Sequence, residues 1–468
     1  MKTNRRRFLA TVGATASVTL LSPSVFDFNM LAGPTFVRRD VAGLSGSDPI
    51  IVDYQNAITA MQGLVSTDVR SWFYQAAIHA TNAMPVKTAW NTCQHGTHLF
   101  WAWHRMYLYW FERIVRKYSS DPNWALPYWN WTANPQLPSM FQVVSSSLYT
   151  PLRDPNINNG SGSLTPSDVD YSAPFAELNY LTAQSSIEGT PHGAVHVKVG
   201  GFPNGSPGLM TTVPTAAQDP IFYLHHANMD RLWDLYIDQG GGRSDPTSDS
   251  TWTGKVFTFY DENGSKVTMT PCDVLNASAQ LNYTYEGEPP QVTQSCGGLP
   301  PWIFKYVVLL KFPFPPNPID GDPYVVQVDI SSKVAKLRSI LGNPDQQVYL
   351  ELDGVAADRS PGVVWEVYVG LPAGVQADPS SPFFVGELAL FGGGVRADVH
   401  AHHTFKPANL RFNATKALGA VLANGGSAAP LTFIARGILV DGQPVTPRVQ
   451  STVTVTGGKF VVGTKTAR

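Results

Sequence analysis

The chain is short of several things that would settle its class at once. Only three cysteines occur in 468 residues, too few for a disulfide framework, so each thiol has to be judged by its surroundings. Charge of one sign is missing too. With 33 basic and 35 acidic residues the formal net charge is −2, which gives no field to gather nucleic acid or an anionic membrane. Beyond about residue 40 no apolar run approaches the roughly 20 residues that a bilayer span needs, so no membrane is expected for the mature form. No internal repeat is visible. What is present is ordinary globular stock: 43% hydrophobic and 11% aromatic residues over this length are enough for two domains with real cores. The partner that suits such a chain is a small molecule.

The first stretch is an address. Arg5-Arg6-Arg7-Phe8-Leu9, followed by the apolar residues 10–21, resembles a twin-arginine export signal, used by bacteria to translocate folded and often cofactor-loaded proteins. Its apolar part is shorter than a membrane span, and no clean small-x-small cleavage site follows. Residues 1–40 are set aside as signal and leader, and a periplasmic or extracellular location is expected.

From Asp48 to Tyr285 the pattern is mainly helical, with long irregular connections. In 219–236 two adjacent histidines, His225 and His226, open an apolar helical pattern through Ile221, Leu224, Met229, Leu232, Trp233 and Tyr236, which lets His226 point inward with Asp230 one turn on. Upstream, His192 and His196 stand four apart, so a helix begun near Pro191 presents both on one face. Three imidazoles converge from these two segments. A second set comes from His79, at the end of an apolar helical pattern over 50–80, and from the stretch 91–105, which contains Cys93, His95, His98 and His104. His95 and His104 are half a turn out of phase on a continuous helix, so His95 is expected on an irregular segment and His104 at the start of a helix over 105–118. Neutral imidazoles suit copper, and the lack of carboxylate or thiolate ligands argues against magnesium, calcium or an iron–sulfur centre. Three histidines plus water also make a catalytic zinc site.

The two histidine sets, with Leu126-Pro127-Tyr128-Trp129-Asn130-Trp131, the segment 219–233 and Tyr283-Thr284-Tyr285, resemble the type 3 copper family of tyrosinases, catechol oxidases and molluscan haemocyanins over about half of the chain. The resemblance implies that His79, His95 and His104 hold one copper and that His192, His196 and His226 hold a second, with dioxygen as co-substrate. It leaves His98 and His225 outside the ligand set. It also implies a thioether between Cys93 and His95, as in fungal tyrosinases and molluscan haemocyanins; a buried free thiol is the plainer reading. Cys272 and Cys296 remain, and export permits them to pair without requiring it.

By the same resemblance Glu188 takes the place of a carboxylate that orients a water near the second copper, although an acid there also suits a helix N-terminus at Pro191. Gly193 follows His192 where many efficient monophenol hydroxylases of the family carry Asn, and Val197 follows His196. Val213 stands where plant catechol oxidases often place Phe, so the mouth is expected to be more open. The function expected is oxidation of o-diphenols to o-quinones with dioxygen, with weaker monophenol hydroxylation. A haemocyanin-like dioxygen carrier and an o-aminophenol oxidase are the alternatives.

Residues 286–323 are rich in proline and glycine and read as a linker or wrapping segment. Beyond it, 325–330, 348–352, 363–369, 383–391, 431–438 and 451–455 are short β-type runs separated by turn signals. His400, His402 and His403 read as a polar turn. The architecture expected is thus a mainly α catalytic domain, 41–285, a helix bundle holding the dinuclear copper site, followed by a β-sandwich domain, 324–468. The latter weakly resembles the C-terminal domain of plant polyphenol oxidases, which covers the copper site and keeps the enzyme latent.

Overall fold

A computed structural model describes residues 36–288, 294–296, 302–319, 323–357, 363–389, 408–437, 439–440, 443–444 and 453–467. The export segment and His400, His402 and His403 lie outside them. After strand β1 (Phe36–Arg38), helices α1 (Pro49–Gln62) and α2 (Trp72–His79) form where their starts are specified: the Asp48 carboxylate accepts the Ile50 N–H, and the Ser71 hydroxyl accepts the Tyr74 N–H. Helix α3 (Phe100–Tyr118) begins a full turn before the expected position, so His104 lies inside it. The reason is local: the Thr97 hydroxyl accepts the Leu99 N–H and turns the chain into the helix ahead of Phe100.

The irregular connections are not wholly irregular: the stretch 132–187 contains α4 (Pro155–Asn158), α5 (Ser172–Ala176) and α6 (Tyr180–Ile187). Helices α7 (Ala194–Gly200), α8 (Val213–Ala216) and α9 (Ile221–Asp238) follow, then α10 (Ser250–Thr253), the hairpin β2 (Phe257–Tyr260) and β3 (Lys266–Met269), α11 (Ala277–Leu281) and β4 (Tyr283–Tyr285), which pairs in parallel with β1. One apolar core runs from Val41 to Tyr285 and includes seven tryptophans among its buried residues other than Trp72 and Trp90: Trp101, Trp103, Trp124, Trp129, Trp131, Trp233 and Trp252. Among the described residues no helix is long and apolar enough to cross a membrane.

The expected linker is not free of regular structure. Strand β5 (Trp302–Phe312) crosses it and pairs antiparallel along the chain's last strand. The remaining elements are β6 (Tyr324–Val326), α12 (Val334–Leu341), β7 (Gln346–Ala357), β8 (Val363–Val369), β9 (Phe384–Ala389), β10 (Ala408–Asn413), α13 (Thr415–Ala423), β11 (Leu431–Gly437), β12 (Leu439–Val440), β13 (Gln443–Pro444), β14 (Val453–Thr454) and β15 (Gly457–Ala467). One sheet has the order β10-β7-β15-β5, with β14 on β7; another has β6-β11-β8-β9. Residues of both sheets, among them Leu350, Phe460, Trp365 and Phe433, share one apolar core. The two helices were not expected. Leu337 and Ile340, and Leu418, Val421 and Leu422, recur at helical spacing and are buried in that core, a period that a reading for strands passes over.

Candidate metal centre

The six histidines of the two sets come together. Within the first set the ring centroids of His79 and His95 are 5.3 Å apart, those of His95 and His104 5.3 Å and those of His79 and His104 5.7 Å. Within the second, His192 is 4.7 Å from His196 and 5.1 Å from His226, and His196 is 5.4 Å from His226. The sets adjoin: His104 stacks on His226 at 4.3 Å, and His95 lies 5.6 Å from His192. Phe100 packs on His104 and His192, and Phe222 on His79 and His226. These rings wall the cluster with hydrocarbon.

Each segment brings its imidazole in by a different route. His79 ends α2, and His104 stands on the second turn of α3. His95 lies on an irregular loop, as expected, pinned by the Gly96 N–H, which donates to the Glu188 carboxylate at 2.6 Å. His192 and His196 flank the start of α7 after a cis peptide at Pro191. His226 stands on α9, whose entry is fixed by Asp219: its carboxylate accepts the Ile221 N–H and a two-point ion pair from Arg153, at 2.7 and 2.8 Å.

The donor chemistry tests whether a metal fits. Nδ1 of His79 faces the Val213 carbonyl at 3.1 Å, Nδ1 of His104 the Phe100 carbonyl at 2.8 Å, Nδ1 of His192 the Glu188 carbonyl at 3.0 Å and Nδ1 of His196 the Met210 carbonyl at 2.9 Å. A carbonyl only accepts, so each of these Nδ1 atoms carries the proton and Nε2 keeps its lone pair. The buried Nε2 of His104 meets no hydrogen-bond donor or acceptor. Nε2 of His196 and Nε2 of His226 approach to 3.2 Å. Burial first, and neighbouring imidazoles second, hold His104, His196 and His226 well below the ordinary imidazole range, and His192 likewise. The rings are therefore neutral, the form that ligates a metal. Cation-ready nitrogens in two adjoining sets fit a dinuclear copper site.

His225 is as buried as its neighbour, and one of its ring nitrogens lies within 4.8 Å of a ring nitrogen of each of His192, His196 and His226. Its chemistry differs. The Trp131 indole N–H donates to its Nδ1 at 3.2 Å, so the proton must sit on Nε2 and no lone pair is left there for a metal. His98 is half-buried and joins neither set; its carbonyl accepts the Trp252 indole N–H.

The other expected residues are at or beside the cluster. Cys93 Sγ lies within 4.8 Å of ring nitrogens of His79 and His95, and burial pushes its thiol pKa far up. Glu188 is half-buried, and desolvation of its carboxyl raises its pKa to about 8 against the Gly96 hydrogen bond. Gly193 and Val197 are buried beside the two histidines they follow. Val213 is half-buried and serves the site through its carbonyl, a role that no side-chain pattern announces. Cys272 and Cys296 form a disulfide with Cα atoms 5.7 Å apart.

Below the cluster, Asp230 binds Arg38 and Arg105 and accepts hydrogen bonds from the Tyr283 and Tyr285 hydroxyls, both at 2.6 Å. Arg105 also reaches Asp234. Burial would raise the Asp230 pKa, but the two guanidiniums overcome it and hold the carboxylate below its usual range. This network ties α9 to α3, β1 and β4, and explains why Tyr283-Thr284-Tyr285 belongs with the histidine segments.

Comparison with known proteins agrees with the geometry. The common central domain of tyrosinase matches residues 69–184 and 169–239, and the polyphenol oxidase middle domain matches 246–294. Residues 69–239 and 246–294 thus match the tyrosinase and polyphenol oxidase family of type 3 copper proteins. A domain of unknown function matches 321–418. Among type 3 copper relatives, the latent chloroplastic polyphenol oxidase of Prunus armeniaca is 33% identical over 291 residues, 53% of this chain and 48% of its own. A Hahella tyrosinase is 32% identical over 287 residues, 50% of this chain and 59% of its own. These alignments span about half of each relative. The latent form of aurone synthase, a polyphenol oxidase, has a similar fold, with a TM-score of 0.66 at 23% identity over 92% of this chain and 90% of the other.

Proposed function

We propose that this protein is a copper-dependent oxidoreductase that oxidises o-diphenols to o-quinones with dioxygen and hydroxylates monophenols more weakly. The observation that carries the reading is the meeting of two three-imidazole sets in which the Nδ1 atoms of His79, His104, His192 and His196 are tied to backbone carbonyls. His79, His95 and His104 would hold one copper, and His192, His196 and His226 the other. Bound there, the metal pair supplies the redox chemistry, taking electrons from the phenol and passing them to dioxygen. Overall, two catechols and one dioxygen give two quinones and two waters.

The chain's own residues do the rest. The Phe100 and Phe222 rings keep the cluster dry. Glu188 holds the His95 loop through one oxygen, and its other oxygen is assigned to a water that receives the phenolic proton. Gly193 and Val197 offer no polar group to help a monophenol lose its proton, which is why hydroxylation is the weaker activity. Val213, small and half-buried, leaves room for a substituted ring. Cys93 and His95 are assigned a thioether, formed by passing one hydrogen from the thiol and one from the ring to dioxygen; Cys93 should then resist alkylation after full reduction.

Residues 41–285 and 324–468 are taken as separate domains, the second a β-sandwich with two added helices that shields the site. Export through the twin-arginine segment completes the proposal, in keeping with a folded, copper-loaded cargo. The test is to load purified protein with copper, count the metal and assay catechol, tyrosine and an o-aminophenol with oxygen uptake. Two coppers with catechol turnover above tyrosine turnover are expected. Reversible dioxygen binding with no phenol consumed would make the protein a carrier, and preference for the aminophenol would change the substrate class.

A further inference from the structure

Helix α6 stands between the metal centre and the β-rich region, and it touches both. Gln184, 2% exposed, donates its side-chain N–H to the Thr97 carbonyl, two residues beyond His95. Glu188, one turn later and still helical, accepts the Gly96 N–H at 2.6 Å, and its own carbonyl faces Nδ1 of His192 at 3.0 Å. Residues four apart share a helix face, so this face holds the His95 loop at two adjacent residues, Gly96 and Thr97, and the second histidine set at one point.

The rest of the segment is held from the other side. Thr182 is two residues from Gln184, about 200° around the helix. Its hydroxyl meets the Arg411 guanidinium at 3.2 Å and the Tyr306 hydroxyl at 3.3 Å. Just before the helix, Tyr349 and Asn413 approach the buried Glu177 carboxyl. Just after it, the Thr190 hydroxyl donates to Glu387 at 3.3 Å, and β9 passes so near that a Cβ on Gly189 would lie 3.4 Å from the Glu387 carbonyl. Residues 177–190 are thus gripped by the β-rich region at both ends and at the middle.

We infer that segment 177–190 is a coupling strap through which the docked β-rich region positions the His95 loop, with Gln184 as the positioning residue. This rests on the dinuclear copper reading and adds to it: the β-rich region then sets the geometry of the first histidine set as well as covering the site. Outer partners of metal ligands are typically worth about ten- to a hundredfold in metal affinity. His79 and His104 are held by α2 and α3, whereas His95 depends on its loop, so loss of the strap should weaken one copper and spare the other.

The experiment uses full-length, copper-loaded protein and reads the metal. Gln184→Met keeps the side-chain volume and removes the donor. Arg411→Met combined with Tyr349→Phe loosens the strap from residues remote from the metal. Copper release to a chelator is followed with time, and the thermal midpoint of the metal-free proteins is compared as a control for folding. Both variants should release one of their two coppers about tenfold faster than the parent, with the second unchanged and the metal-free midpoint preserved. Unchanged release in Gln184→Met overturns the positioning role. Fast release in Gln184→Met with parental release in the double variant overturns the coupling, and faster turnover of the double variant at parental copper release would show a cover alone. A parent chain that never binds two coppers fails a different claim, the dinuclear reading itself.

Discussion

The helical and β-rich regions bury about the same kinds of apolar side chain but hold charge differently. In the helical region Arg38, Arg105, Arg153, Glu112, Asp219 and Asp230 are buried in ion pairs, beside acids such as Asp53 and Asp245 that are buried against neutral donors. In the β-rich region the buried charged residues among those described are Glu366 and Glu387. They stand opposite one another on β8 and β9, and Glu387 reaches across to Thr190 of the helical region. The lesson is about purpose. A metal centre built from four separate chain segments needs directional ties to hold them in register, whereas a sheet core is satisfied by packing and keeps its buried acids for the face that docks.

The sharpest way to break this comparison is Asp230→Ala. It leaves Arg38 and Arg105 buried without their shared anion, and should cost about 3–5 kcal/mol of stability together with copper. Chemical denaturation and metal analysis read both. A loss below about 1 kcal/mol would mean that the ties are ornamental and that packing holds both regions alike.

A second test stays inside the helical region. His226→Ala should lose the second copper, whereas His225→Ala should keep both, because the Trp131 N–H has already claimed the His225 lone pair. Metal content decides it, and the opposite result would exchange the two assignments.

The third concerns the docking face. Desolvation raises Glu177 to about 7 and Glu387 to about 8, from an ordinary 4.5. For Glu387, Asp168 adds to the rise while Lys198 opposes it, and for Glu177 the nearby Arg411 and Arg243 oppose it. The docked state therefore binds more protons than the separated one. Its advantage is full below about pH 4.5, shrinks as the pH climbs and is gone above about 8, by up to about tenfold per unit for each group. Proteolysis of the connecting segment should accelerate from pH 6 to pH 9, and Glu387→Gln should flatten the response. A rate independent of pH in the parent would show that neither acid is released by separation.

The smallest effect is expected at Val213. Its replacement by Phe keeps the carbonyl that holds His79 and both coppers, but should lower tyrosine turnover roughly tenfold more than catechol turnover by steric cover. Equal losses would place the side chain away from the entrance.

The histidine sets were legible because metal ligation demands particular residue types, and the motifs around them are long. Helix α6 was not, since eight residues give barely two turns of periodicity; only Asn179, whose side chain caps Leu181 and Thr182, signalled a start. Gln184 was missed because its partner lies 87 residues away on an irregular loop. Strand β5 was hidden by its proline- and glycine-rich flanks, although Trp302–Phe312 is itself free of both. Its pairing with β15 joins segments too distant in sequence for a local pattern to reveal.

The pairing of Cys272 with Cys296 closes a ring of chain just ahead of β5. Where a protease cuts therefore matters as much as whether it cuts. A nick between the two cysteines leaves the halves covalently joined, and they part only in the presence of a reductant. A nick after Cys296 severs the last covalent link between the regions under oxidising conditions as well. Cleavage under oxidising conditions would thus have a permissive side and a silent side of the same residue, distinguishable on a gel run with and without thiol.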